Sequence, residues 1–127
     1  MTVISRDDML AQARAEITIV DADRAEALIA AGAHVLDVRE PAEFLLGHLP
    51  GAQNVPRGVL EFKVGSHPAL MDSSAPILLY CKNGGRSTLA AYTLKQMGFS
   101  AIEMLAGGFD GWQGSVHKVE VDPGTYQ

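Results

Sequence analysis

Pro76-Ile77-Leu78-Leu79-Tyr80-Cys81-Lys82-Asn83-Gly84-Gly85-Arg86-Ser87 is the stretch from which the fold can be read. The run from Ile77 to Cys81 is apolar apart from the tyrosine hydroxyl, and it has the length and flanks of a strand buried on both faces. Directly after Cys81 the chain turns polar and glycine-rich, and a helical pattern begins at Ser87. The only cysteine of the protein therefore stands at the carboxyl end of a buried strand, in a loop that opens a helix. The first amides of a helix are unpaired donors, and its dipole adds partial positive charge at the same point. Gly84 and Gly85 permit positive φ, so successive N–H groups can turn inward around an anion, and Lys82 and Arg86 bring formal charge. Each effect favours the thiolate, the form that attacks. A free cysteine at a strand end is ordinarily a small buried hydrophobe. The Gly-Gly loop, the flanking cations and the helix start weigh against that role, and Cys81 is the candidate nucleophile. The phosphate-loop pattern G-x-x-x-x-G-K-[ST] is absent.

Outward from this stretch, strands and helices alternate. Ser5, with Asp7 and Asp8 behind it, caps a helix on the outside of the domain, whose apolar stripe is Met9, Leu10, Ala13 and Ile17. A short strand over 17–20 follows. Asp21 caps a second helix with Ala25, Leu28 and Ile29 on one face and Gly32 at its end, and a strand over 34–39 completes a right-handed βαβ unit. Pro41 suits the first turn of a short helix, Gly47 and Pro50-Gly51 are turns, and 52–55 is a short strand. Residues 57–74 are the least legible, with a brief helix around 59–64 and a loop through Gly65-Ser66-His67-Pro68. After Cys81 the pattern predicts a helix over 87–97 with Ala90, Leu94 and Met97 on one face, a strand over 99–105, and a last short helix carrying Phe109 and Trp112. Residues 116–127 read equally as a strand or an arm.

This order predicts an α/β fold, a mostly parallel sheet with helices on both faces, in which ligands bind beyond the carboxyl ends of the strands. Asp37-Val38-Arg39, Cys81 and Gly107-Gly108 all fall at such ends. The 127 residues make one domain, with a core of about 17–113 flanked by the first helix and the tail, large enough to fold without disulfides or structural metal. A net charge of −5 argues against broad nucleic-acid binding or attraction to an anionic membrane. One cysteine excludes an internal disulfide and a resolving thiol, so any group taken up by Cys81 must pass to another molecule. His34, His48, His67 and His117 show no ligand spacing, and neither a metal nor a cofactor is expected. The N-terminus lacks a signal-peptide pattern, no apolar run approaches membrane-spanning length, and a reducing compartment, the cytoplasm, is expected.

Three separated segments carry a family resemblance: Asp37-Val38-Arg39-Glu40 with Glu43-Phe44-x-x-Gly47-His48-x-Pro50-Gly51-Ala52-x-Asn54, the loop Cys81 to Ser87, and Gly107-Gly108-Phe109-x-x-Trp112. In this order and spacing they resemble a single-domain rhodanese, a sulfurtransferase. The resemblance implies a rhodanese-like fold and a Cys81 that carries sulfane sulfur from a donor such as thiosulfate to cyanide, a cellular thiol or a protein acceptor, through a persulfide. It makes Lys82, Asn83, Gly84, Gly85, Arg86 and Ser87 the loop that holds substrate and persulfide. Lys82 and Arg86 draw an anionic donor, and Arg57 stands as a possible rim residue. Phosphatases of this fold have five residues between cysteine and arginine, and its arsenate reductases resemble them; here four separate Cys81 from Arg86. That smaller cradle suits one sulfur atom better than a tetrahedral phosphate. A rhodanese-like binding module without catalysis is the alternative of a different class, although such domains often lack the cysteine.

The other motif residues read as scaffold. Asp37 is expected to bond nearby backbone, and Arg39 to pair with Glu43 or another carboxylate. His48 is expected in a turn, and Trp112 in core or pocket wall, with Gly107 and Gly108 allowing close packing.

Overall fold

The computed structural model describes residues 2–119. Five strands form one wholly parallel sheet in the order β1-β5-β4-β2-β3, with β1 Thr18–Val20, β2 His34–Asp37, β3 Ala52–Asn54, β4 Ile77–Tyr80 and β5 Ile102–Leu105. The helices are α1 Arg6–Glu16, α2 Ala22–Ala30, α3 Pro41–Leu46, α4 Leu60–Lys63 and α5 Gly85–Gln96. The strand that the apolar run predicts is central, and all four of its residues are buried.

Alternation along the strands divides the core in two. Ile77, Leu79 and Cys81 join Leu36 and Val38 on the face covered by Ala90, Ala91 and Leu94 of α5 and by Leu60 of α4. Leu78 and Tyr80 join Val35 on the opposite face, against Ala25 and Leu28 of α2. Cys81 therefore faces α5, whereas Tyr80 faces the α2 side. α1 lies against α5, where Lys95 Nζ donates to the Glu16 carbonyl at 2.7 Å. Side-chain caps start both early helices: Ser5 Oγ accepts from Asp8 N at 3.1 Å and Asp21 Oδ1 from Arg24 N at 2.9 Å.

Several boundaries depart from the sequence expectation. β2 stops at Asp37 instead of 39, because the Asp37 carboxylate accepts the Arg39 amide at 2.9 Å and turns the chain. α5 begins at Gly85 instead of Ser87, since Gly84 (φ 108°) alone makes the left-handed step and Gly85 is already helical. β5 begins at Ile102 rather than 99: α5 ends in a Schellman motif, with Gly98 N donating to Lys95 O and Phe99 N to Leu94 O, which drops Phe99 into the core before pairing starts. Met97, expected on the apolar face, is 44% exposed because it caps the helix. The segment after Arg57 is a chain of tight turns, Arg57–Val59, α4, Val64–Ser66 and Pro68–Leu70, so the expected loop at 65–68 is largely 3-10 helical. Phe109–Gly111 is likewise a single 3-10 turn, with Trp112 just past it. Of the tail, His117 bridges to His48; residues 120–127 lie outside the described residues.

Candidate active site

The loop after β4 is held from below by the sheet and from the side by the turn at Gly107-Gly108. Phe109 N donates to Cys81 O at 2.8 Å and Asp110 N to Lys82 O at 3.0 Å. Two consecutive carbonyls are thereby tied up, and the turn must come very close. At Gly108 (φ 58°, ψ −154°) a Cβ would stand 2.5 Å from Cys81 O and 2.7 Å from Lys82 O, so this position accepts no side chain.

Cys81 is fully buried, and two groups at the start of α5 meet its sulfur. Gly84 N donates to Sγ at 3.1 Å, and Ser87 Oγ lies 3.3 Å from Sγ. Gly85 N is taken by Asn83 Oδ1 at 3.3 Å. The amides of Lys82, Asn83, Arg86 and Ser87 have no acceptor among the described residues. The arrangement sets the Cys81 sulfur beside free N–H donors at the positive end of a twelve-residue helix.

Both loop cations are matched by carboxylates. Lys82 Nζ lies 2.9 Å from each oxygen of Asp110. Arg86 makes a two-pronged pair with Glu43, at 2.8 and 3.1 Å. Arg86 thus holds the Glu43 carboxyl below its ordinary range, and Glu43 raises the guanidinium in return. Arg39 pairs with Asp37 and not with Glu43: Nε and Nη2 donate to the carboxylate at 2.7–3.1 Å, and Nη2 also reaches the Gly47 carbonyl at 2.6 Å. Its guanidinium lies 4.3 Å from the Phe109 ring centroid.

Asp37 pairs with Tyr80 across the parallel register, and the Tyr80 hydroxyl donates to Asp37 Oδ2 at 2.6 Å while accepting from Leu49 N at 3.1 Å. Burial first, and then the Asp37 carboxylate, push the phenol far above its ordinary value, so it stays a donor. Asn54 Nδ2 closes the group by donating to the carbonyls of Asp37 and Arg39 at 3.0 and 2.9 Å. Tyr80→Phe leaves Leu49 N without its acceptor. The expected cost is about 1–3 kcal/mol, read as a lower urea midpoint at an unchanged slope.

A cleft of about 310 Å³ opens beside the loop, lined by Arg39, Glu43, Leu46, Gly47, Lys82, Phe109 and Asp110. A larger hollow of about 390 Å³, between Glu16–Thr18 and the stretch from Lys95 to Ile102, lies at the amino ends of β1 and β5. That is the end of a parallel sheet where ligands do not collect; Cys81 itself lines neither space, and it is Lys82, the next residue of its loop, that reaches the smaller cleft. Arg57 is held by Glu61 Oε1 (2.9 Å) and Thr93 Oγ1 (3.3 Å), and it lines neither space. His48 stacks on Phe44 at 3.9 Å and exchanges two backbone hydrogen bonds with His117, both 2.9 Å, which ties the chain after Val116 to the end of α3. Trp112 packs into the α2-side core and donates to Ser115 O at 3.0 Å, and it is Phe109 that walls the cleft. Among the described residues no group of three His, Cys, Asp or Glu side chains could hold a metal, and no helix is long and apolar enough to cross a membrane.

Sequence reading missed Tyr80 and Asp110. The parallel pairing of β2 with β4 was the signal for Tyr80, because it sets a tyrosine beside an aspartate at the ends of neighbouring strands. For Asp110 there was no local signal: its partner is 28 residues away in sequence.

A doubly wound parallel sheet with a cysteine loop leading into a helix N-terminus defines the class, and the chain belongs to the rhodanese-like domain family, whose profile matches residues 21–115. Among curated relatives, the uncharacterised protein YqhL of Bacillus subtilis is 40% identical over 66% of this chain and 64% of its own length, so the match spans a little under two thirds of that relative. The thiosulfate sulfurtransferase GlpE of Pseudomonas aeruginosa is 34% identical over 73% of this chain and 80% of its own. GlpE of Pseudomonas fluorescens is 31% identical over 88% and 98%. Among solved structures, a Rhodopseudomonas palustris protein of unknown function, described as a possible tyrosine phosphatase, superposes with a TM-score of 0.81 at 29% identity, over 92% of this chain and 97% of that one. The human single-domain sulfurtransferase TSTD1 gives 0.69 at 25% identity, over 76% and 97%.

Proposed function

We propose that this protein is a sulfurtransferase that carries sulfane sulfur on Cys81. The observation that supports it best is the sulfur itself: fully buried, met by Gly84 N and Ser87 Oγ, at a helix start where the amides of Lys82, Asn83, Arg86 and Ser87 have no acceptor among the described residues. Cys81 thiolate attacks the outer sulfur of a donor such as thiosulfate. The S–S bond breaks, sulfite leaves with the electron pair, and a persulfide forms. An acceptor nucleophile, cyanide or a thiol, then takes the terminal sulfur, and the Cys81 thiolate is the leaving group. The free amides of the loop and the Ser87 hydroxyl hold the negative terminal sulfur, as an oxyanion hole holds oxygen. In this reading Cys81 is the catalytic residue, Lys82 to Ser87 form the cradle, and Asp37, Arg39, Glu43, His48, Gly107, Gly108 and Trp112 are scaffold. The unit is one domain working without metal or cofactor, and a lone reduced thiol fits the cytoplasm.

The four residues between Cys81 and Arg86 make a smaller cradle than the five-residue phosphatase loop, which favours a single sulfur atom over a phosphate. Intact-protein mass after brief exposure to thiosulfate tests the proposal. One added sulfur atom, removed by cyanide, is the expected result, and an unchanged mass in a folded protein with a titratable thiol would overturn thiosulfate as donor.

The Glu43–Arg86 clamp gives an acid-side prediction. Because Glu43 is depressed in the folded protein, the pair contributes fully above the carboxyl's ordinary value of 4.5 and is lost as pH falls through the lower folded value. Glu43→Gln should flatten the acid limb of stability below that point, by less than about 1 kcal/mol because solvent still screens a half-buried pair, in thermal melts taken across the acid range.

A further inference from the structure

Each cation at this end of the sheet is matched by one carboxylate. Arg39 is held by Asp37 at 2.7 Å, Arg86 by Glu43 at 2.8 Å and Lys82 by Asp110 at 2.9 Å, so none of the three carries an uncompensated positive charge. The first two pairs are the more buried and brace the loop and the strand end. Lys82 and Asp110 are about half exposed, 56% and 50%, and both line the cleft. The Asp110 carboxylate has no other partner among the described residues, and its two oxygens are equally spent on the one ammonium. What Asp110 does for the fold, bonding Lys82 O at 3.0 Å, is done by its backbone amide. The carboxylate is therefore dispensable to the architecture, yet it lines the cleft that adjoins the Cys81 loop.

We propose that Asp110 is a specificity-determining residue: by offsetting the Lys82 charge at the mouth of the cleft, it turns the site away from doubly charged sulfur donors and toward sulfane sulfur borne on singly charged or neutral carriers. This rests on the sulfurtransferase reading. A dianion feels the Asp110 charge twice as strongly as a monoanion at the same place, and salt screens both effects at so open a position.

Two donors of like chemistry and unlike charge separate the terms. Thiosulfate is a dianion and methanethiosulfonate a monoanion. Each surrenders its outer sulfur to a thiolate as the S–S bond breaks, and sulfite or methanesulfinate respectively leaves with the electron pair. Cyanide then accepts the sulfur, and thiocyanate is the readout for both. Asp110→Asn is expected to raise kcat/KM about 10-fold for thiosulfate and about 3-fold for methanethiosulfonate at low ionic strength, both gains shrinking as salt is added. Asp110→Glu keeps the charge and is expected to keep the wild-type ratio of the two donors. An unchanged ratio in Asp110→Asn, or an equal change in Asp110→Glu, overturns the role of Asp110 while wild-type turnover still upholds sulfur transfer. If the wild-type protein turns over neither donor, sulfur transfer itself fails and this proposal falls with it.

Discussion

Cys81→Ser is expected to lower sulfur transfer from thiosulfate to cyanide by a factor on the order of 10³ or more, with the fold intact. The proposed reaction needs an atom that bonds to sulfur, leaves as a stable anion and does so at neutral pH, and a serine hydroxyl does none of these. The fold survives for a local reason. Serine is smaller than cysteine, and Ser87 Oγ already lies within reach of the position, so the new hydroxyl gains a partner where Sγ now sits. Stability should change by less than about 2 kcal/mol, the ordinary scale of a buried polar swap with a partner. Thiocyanate release and a thermal melt of the same sample decide it. A folded variant that keeps a few per cent of wild-type turnover would sink Cys81 as the nucleophile. A folded, inactive variant that still performs the protein's cellular role would point to a binding module.

Gly108→Ala should be the most damaging substitution for the fold of the site. The added methyl would meet the carbonyl oxygens of Cys81 and Lys82 at 2.5 and 2.7 Å and the Lys82 carbonyl carbon at 2.8 Å, all of them backbone atoms that cannot swing aside. The backbone at φ 58°, ψ −154° is itself a conformation open to glycine alone, with a strain of about 1–3 kcal/mol for any other residue. Together the two effects should exceed about 3 kcal/mol and lower the melting temperature by roughly 10 °C. Relief comes only if the turn backs away, which lengthens the bonds from Phe109 N and Asp110 N to the loop. A displacement of about 1 Å in the cradle costs about 100-fold in rate, so activity should fall further than stability explains. Gly58→Ala is the control, because a Cβ there meets nothing within 4 Å. Equal melts for the two variants would show that the close approach at Gly108 is not rigid.

What could be read in the chain beforehand follows the range of the forces involved. The apolar run at Ile77, the caps at Ser5 and Asp21 and the helix stop at Gly98 are local, and each lies where the residues place it. The cysteine, the glycine after it and the helix start were legible for the same reason. Gly85 was misjudged because two adjacent glycines carry the same permission, and only the geometry of the helix start shows that Gly84 alone uses it. The charges were the harder part. Lys82 and Arg86 read as free cations in one dimension, but their carboxylates come from Asp110 and Glu43, 28 and 43 residues distant. No spacing rule reaches that far. The tight turns between Arg57 and Leu70 were illegible because each is too short to show a period.

The two hydrogen bonds by which Phe109 and Asp110 hold the cysteine loop also set a timetable. A ribosome that has just added Cys81 must add another 28 residues before the first of those donors exists, and more before that donor clears the exit tunnel. At about 5–20 residues per second this is an interval of seconds. Throughout it the nascent protein carries a thiol whose surrounding backbone is not yet fixed. A message truncated anywhere between those two codons would yield a chain that keeps its cysteine and can never complete the frame around it.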